Sequence, residues 1–201
     1  MVVFNDDPQM VQRVVEIGEE SAELKRTFFH ENAERVVQAA QAIAKAFQDG
    51  NRLFLFGNGG SAADAQHIAA EFVNRFVMER PGLPAMALTT DCSVITSIGN
   101  DYDFKDIFSR QIKALAMPGD VAWGISTSGS SPNVVQGLNA ARSIGLFRIG
   151  LTGGTGTPVA MLSDIALEVS HPETARIQEV HIAVGHAVCE LVDTILFRYT
   201  K

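Results

Sequence analysis

The chain is poor in cysteine and in positive charge, and it lacks an uninterrupted apolar run of membrane-spanning length. Its two cysteines, Cys92 and Cys189, stand alone, so there is no disulfide framework and no Cys-x-x-Cys motif. Both are expected to be buried, inert thiols. Sixteen Lys and Arg against 23 Asp and Glu give a net charge of −7, which excludes a broad nucleic-acid-binding face. The glycine-rich loop at Gly57–Ser61 is not followed by Gly-Lys-Ser/Thr, so it is not a Walker loop. The charged N-terminus has no apolar segment of the signal-peptide kind. The most apolar late stretch, residues 182–197, carries His186, Glu190 and Asp193, which argues against a plain membrane span. No internal repeat, low-complexity tract or linker stands out. A cytoplasmic protein that uses neither nucleic acid nor membrane is therefore expected. Any anion it binds must be held by backbone amides, hydroxyls and helix ends.

What is present suits one domain with a sizeable core: 201 residues, 46% hydrophobic and 19% charged. Asp7-Pro8 reads as an N-cap followed by proline at the first helical position. Two N-terminal helices are expected. The first carries Val11, Val14, Val15, Ile17 and Leu24, and the second covers residues 31–48, ending near Gly50. Their apolar faces must be buried on the domain or on another subunit. Short apolar strands then follow at 52–56, 84–88, 121–126, 147–152 and 165–169. Helical stretches at 62–77, 104–115, 134–144 and 175–199 separate them. This alternation predicts an α/β fold: a doubly wound, five-stranded parallel sheet in a flavodoxin-like three-layer arrangement. Residues 1–50 form a helical extension and 51–201 the α/β domain.

Ligands in such sheets lie at the carboxyl ends of the strands. Three small-residue loops are expected there: Gly57-Asn58-Gly59-Gly60-Ser61, Ser126-Thr127-Ser128-Gly129-Ser130-Ser131, and Thr152-Gly153-Gly154-Thr155-Gly156. The first opens a helix, where glycines admit an anion to free amides and the positive end of the dipole. It also fits a loose Gly-x-Gly-x-x-Ala dinucleotide pattern (Gly57, Gly59, Ala62), with Asp91 as a ribose acid, or a plain strand–helix turn. The second loop clusters five hydroxyls around one glycine, neutral donors that can hold a phosphate without lysine. A dinucleotide fold does not need that second loop.

Asp64, His67 and Glu71 lie in the first turns of the helix that follows the first loop. His67 and Glu71, four apart, share one face, which Arg75 extends. Glu71 suits a general base, and His67 with Glu71 equally suits a pair of metal ligands; an exposed ion-pair row is the bland alternative. On the last helix Gln178 and His186 are eight apart, about 12 Å at the helical rise. One ion takes both only through extended side chains or from different subunits. His181 and His171 compete for the role, and His30 looks peripheral. Asn100-Asp101, expected in a loop after Gly99, is either a turn or a pair for sugar hydroxyls.

These motifs, with Gly99-Asn100-Asp101 and Arg176-Ile177-Gln178-Glu179 followed by His181 and His186, resemble in order and spacing the phosphoheptose isomerases, a sugar-isomerase (SIS) domain family. The resemblance covers residues 50–197. It implies conversion of sedoheptulose 7-phosphate to D-glycero-D-manno-heptose 7-phosphate, the first step toward ADP-heptose for lipopolysaccharide core. It also implies a homotetramer with active sites between subunits, and zinc in many members. Carried over, Asn58, Gly59, Gly60, Ser61, Asn100, Asp101, Ser126, Thr127, Ser128 and Ser131 hold substrate, with Asp64, Glu71 and Gln178 beside them. Glu71 and His186 are the proton-transfer pair, and His67, Glu71, Gln178 and His186 are the zinc ligands. A related adaptor that binds the replication initiator DnaA shares the fold but lacks a carboxylate at the position of Glu71 and a histidine at that of His186. A third reading is a sugar-phosphate sensor without catalysis.

Overall fold

The computed structural model describes residues 7–198. It opens with helix α1 (Pro8–Gln48), which Asp7 caps by accepting a hydrogen bond from the amide of Gln9. The remaining elements, in order, are β1 (Leu53–Gly57), α2 (Gly60–Val73), β2 (Ala85–Ala87), α3 (Cys92–Asp101), a 3₁₀ turn (Phe104–Asp106), α4 (Ile107–Leu115), β3 (Val121–Ser126), α5 (Pro132–Ile144), β4 (Phe147–Gly153), α6 (Pro158–Leu162), β5 (Ile165–Val169) and α7 (Thr174–Asp193), which runs into a π-helical turn (Thr194–Arg198).

The expected pair of N-terminal helices is one helix of 41 residues, about 60 Å long. Nothing between residues 24 and 31 breaks it, because that stretch contains neither proline nor glycine. Its second half buries Phe28, Val36, Ala39, Ala40, Ile43 and Ala44 against the domain. The first two turns stand clear, with Met10, Val11 and Val14 exposed at 67%, 58% and 68%, before Ile17 meets Arg176 of the last helix and Ser21 is buried.

The five strands are parallel in the order β2-β1-β3-β4-β5. The outer strand β2 is shorter than the sequence suggests. Pro84 accepts through its carbonyl from Leu53 but, lacking an N–H, starts no ladder of its own. Alternation along β1 sends Leu53 and Leu55 to one face and Phe54 and Phe56 to the other. The first face packs on α1, α2 and α7, and the second on α3 to α6, giving three layers. The doubly wound fold expected from the alternation is observed.

By length and composition Thr174–Arg198 could cross a membrane. Here its apolar side is used internally: Val180, Val184, Val188 and Val192 lie in the core, and Arg176, His181 and Asp193 are buried with them. Helix α3 was not anticipated. Its β-branched residues and Gly-Asn-Asp end resemble a loop, and its start depends on Asp91, whose carboxylate accepts from the amide of Val94 at 3.0 Å. Asp91 is thus a helix cap, and the ribose-acid reading is withdrawn. Asn100 and Asp101 lie at the exposed end of α3, joined by a 2.8 Å hydrogen bond, and not in a loop. Cys189 is buried as expected, but Cys92, at the surface start of α3, is exposed.

Candidate active site

The strand order reverses between β1 and β3, so the chain leaves these neighbours in opposite directions and a crevice opens between their carboxyl ends. Both hydroxyl- and glycine-rich loops border it. Gly57 is packed too tightly for any side chain: a Cβ there would lie 2.8 Å from the Ile125 carbonyl and from Ser61. Gly59, at φ +53°, turns the chain into α2 without any side-chain cap. The first amides of α2 are therefore left for a ligand. Ser61 is buried beneath them.

Across the crevice the buried Ser126 hydroxyl lies 3.3 Å from that of Ser128 and 3.0 Å from that of Ser131, the residue at the start of α5. The side chain of Ser131 does not cap that helix, but Pro132 has no N–H and the Val134 amide donates to Asn133 Oδ1 at 3.0 Å, so this start offers little beyond the Asn133 amide. Thr127 is half-buried between these serines. The two loops are joined by Asn58 and Asn133, whose amides exchange two hydrogen bonds of 2.8 Å. Asn133 was missed by the sequence reading; its position just after Pro132 at a helix start was the available signal. Asn58, Ser131 and Asn133 border a recess of about 250 Å³ that also touches Asp103, Phe104 and Lys105. The third loop braces the second: Gly129 sits against Thr152 and Thr157, whose hydroxyls are 3.1 Å apart.

Further along α2 is a second group. His67 Nε2 lies 3.1 Å from Glu71 Oε1 and 3.3 Å from His186 Nε2, although 119 residues separate the two histidines. One donor atom from each of the three lies within 4.8 Å of the others. Close helix packing makes this possible: Gly185 meets Ile68 so tightly that a Cβ would come within 2.6 Å of the isoleucine methyl. The imidazole of His186 also stacks on Phe76, with centroids 5.5 Å apart. Phe76 likewise went unread in the sequence. The group is only partly covered, with the His67 and Glu71 side chains 47% and 26% exposed.

Two donors bound to one tetrahedral zinc at about 2.0–2.1 Å lie about 3.3 Å apart. The two imidazoles already have this spacing, with a carboxylate beside them, so the donor set fits a divalent transition ion and leaves a coordination position open. Gln178 was the other expected ligand. Its amide lies over the start of α2, where a Cβ on Gly60 would be 2.4 Å from Nε2. This is the uncapped start of that helix.

Several other candidates have separate places. Asp64, one turn before His67, has a buried Oδ2 with no hydrogen-bond partner. Burial pushes its carboxyl up to about 6, with His67 opposing. His181 is fully buried and neither ring nitrogen has a partner, which removes it from the reacting group. His171 accepts from the Glu173 amide, His30 is exposed, and Arg75 pairs with Glu79 at the surface.

Desolvation holds His181 down at about 4; the Thr152 carbonyl opposes this without reaching hydrogen-bond geometry. The unfolded chain therefore binds this proton more readily, and stability present above pH 6.5 is lost as the pH falls toward 4. The expected loss is up to about 3 kcal/mol. Asp64, raised and partly exposed, gives the opposite slope between about 3.8 and 6. The measurement is accordingly the difference in denaturant stability between wild type and His181→Met across this range. Parallel curves would refute the assignment.

A parallel sheet with the uncapped start of α2 and a cluster of serine hydroxyls at its switch point, beside a histidine–carboxylate group, defines an α/β domain suited to holding an anion and to proton transfer or metal binding. The SIS domain family model matches residues 18–153. The chain is 54% identical over 186 residues to the phosphoheptose isomerase of Nitratidesulfovibrio vulgaris (strain DSM 19637 / Miyazaki F), covering 92% of this chain and 89% of that one. It is 54% identical to the phosphoheptose isomerase of Aquifex aeolicus (strain VF5), with 93% and 98% covered. Its fold superposes on the structure of phosphoheptose isomerase from Neisseria gonorrhoeae with a TM-score of 0.86 at 44% identity, covering 92% and 99% of the two chains. The chain belongs to the phosphoheptose isomerase family of SIS-domain proteins.

Proposed function

We propose that this chain is an aldose–ketose isomerase converting sedoheptulose 7-phosphate to D-glycero-D-manno-heptose 7-phosphate, the first step toward ADP-heptose for lipopolysaccharide core. The observation that carries the reading is the convergence of His67, Glu71 and His186 beside α2, the helix whose uncapped start can bind an anion. The relatives that bear the enzyme's name match nearly the whole chain. The phosphate is held by the Asn58–Ser61 amides and by Ser126, Thr127, Ser128 and Ser131, while Gln178, Asp64, Asn100 and Asp101 serve the sugar. Isomerisation moves a proton between adjacent carbons through an enediol and needs both a base and an acid. Glu71 takes the proton from the ketose carbon next to the carbonyl, and His186 serves the oxygen side. His67 holds the Glu71 carboxylate by their 3.1 Å contact.

Zinc is the proposed ion, held by His67, Glu71 and His186, one per subunit. When bound, it supplies Lewis acidity toward a substrate oxygen. The deciding experiment is incubation with sedoheptulose 7-phosphate, with and without a chelator, following the aldose product. Turnover is expected, together with a fall of at least tenfold on chelation that zinc restores. Absence of product under both conditions ends the isomerase reading. Activity indifferent to complete zinc removal ends the proposed role of the ion. The DnaA adaptor reading is weakened by the presence of both Glu71 and His186, and turnover with no capture of DnaA would dismiss it. A sensor would bind the sugar without turnover.

Self-association as a cytoplasmic homotetramer with shared sites is proposed with it, supported by the exposed Met10, Val11 and Val14 stripe on α1. The wild type is expected to have four chains by light scattering, and Val11→Glu/Val14→Glu fewer. A monomeric wild type would refute the assembly.

A further inference from the structure

A buried ion pair joins the ends of the two helices that bring Glu71 and His186 together. Arg80, in the connection after α2, places Nε 2.7 Å from Oδ1 of Asp193, the last residue of α7, with both side chains at most 2% exposed. The rest of the guanidinium is spent on α2. Nη2 donates to the Glu71 carbonyl at 2.8 Å, and Nη1 to the carbonyls of Phe72 at 2.8 Å, Pro81 at 3.1 Å and Asn74 at 3.3 Å. The last carbonyls of a helix have no partners in the next turn, and a cation there opposes the negative end of the dipole. Arg80 supplies both donors and charge. It also returns the connection to its origin and so closes the segment that presents Phe76 to His186.

No surface bond would hold as firmly: a planar, always charged fork meets four carbonyls and one carboxylate with almost no water nearby. Ion pairs buried this deeply contribute little net stability, because desolvation offsets attraction; their best-supported value is in fixing one arrangement over others. Here the arrangement fixed is the axial position of Glu71 relative to His186. Gly185 against Ile68 sets how closely the helices approach, and Arg80 against Asp193 sets how far one may slide along the other.

We propose that Arg80 and Asp193 are positioning residues for the isomerase site, holding the Glu71 backbone and the end of α7 so that the Glu71 and His186 side chains meet at the reacting or metal-binding distance. The proposal rests on the assignment of Glu71 and His186 made above. The test uses Arg80→Lys, which keeps the charge but loses the fork, and Arg80→Met/Asp193→Leu, which keeps the site packed without burying a lone charge. Each is checked for folding by circular dichroism. Three quantities are then read: kcat and KM separately, zinc affinity of the metal-free protein by competition with a chelator, and the ¹⁵N resonances of His67 and His186.

Outer-shell partners of this kind typically affect activity or metal affinity by about 10–100-fold. Folded variants are expected to lose kcat in that range with KM within about threefold, to bind zinc correspondingly less tightly and to shift both imidazole signals. Folded variants that match wild type in all three would overturn the proposal and leave the pair a structural tie. Should both Arg80 variants fail to fold, Asp193→Asn, which retains an oxygen acceptor and the shape, is read by the same criteria. Failure of the underlying assignment has a different signature. Glu71→Gln and His186→Ala would then turn over normally, and Arg80 would still be judged by zinc affinity and the histidine signals.

Discussion

Glu71→Gln is expected to lower kcat by about 10²–10⁴-fold while leaving the fold intact, the range of a lost general base. The amide has the shape of the carboxylate and can still meet His67, now 3.1 Å from Oε1, but it cannot accept the substrate proton at ordinary pH. The proposed phosphate contacts lie elsewhere, on the two loops of the crevice, so KM should change far less than kcat. In deuterated water the wild type should incorporate deuterium at the carbon that exchanges its proton, and the variant should incorporate almost none. Because Glu71 is also a proposed zinc ligand, zinc content is measured in parallel. A variant that retains zinc yet loses exchange places the defect in proton transfer. A variant that turns over within threefold of wild type removes Glu71 from the chemistry.

Gly153→Ala is the second large effect. Gly153 ends β4, and a Cβ there would lie 2.0 Å from the Thr127 carbonyl and 2.9 Å from Ile177. Rotation of a side chain cannot relieve a collision with backbone. Either β4 shifts or the Ser126–Ser131 loop is pushed outward. Overpacking of this kind costs about 1–3 kcal/mol and sometimes more. For a chain of this size that is roughly 2–4 °C in Tm for each kcal/mol. Thr127 belongs to the proposed phosphate cradle, so KM should rise together with the loss of stability, whereas zinc affinity, which depends on α2 and α7, should hold. Calorimetry and steady-state kinetics of this one variant separate the two halves of the site. Unchanged Tm and KM would show that the contact between the loops is slack.

The central strands β1, β3 and β4 were legible because each is an apolar run between turn residues, largely buried on both faces of a parallel sheet, whereas the edge strands β2 and β5 are only partly buried. Their C-terminal loops could be placed because parallel strands all end at one rim. The residues of the proposed cradle and the His67–Glu71 pair were readable for the same local reason: loop composition and helical spacing fall within a few residues of sequence. Two of the local readings that failed concern helices. The join between the supposed N-terminal helices was assigned to a stretch with no breaker in it, and α3 was hidden because its helix start rests on one aspartate cap in a β-branched sequence.

What the sequence determined by itself was the layered fold, the small-residue loops at its carboxyl rim and a helix face able to carry proton or metal chemistry, since each follows from periodicity and short spacing. Tertiary structure alone decided that His186 and not His181 joins that face, that Gln178 lies at the start of α2, and that Asn133 joins Asn58. Those outcomes depend on the register and separation of α2 and α7 and on where two loops meet. That register is set by contacts such as Gly185 with Ile68 and Arg80 with Asp193, between residues more than a hundred positions apart, which no local pattern encodes.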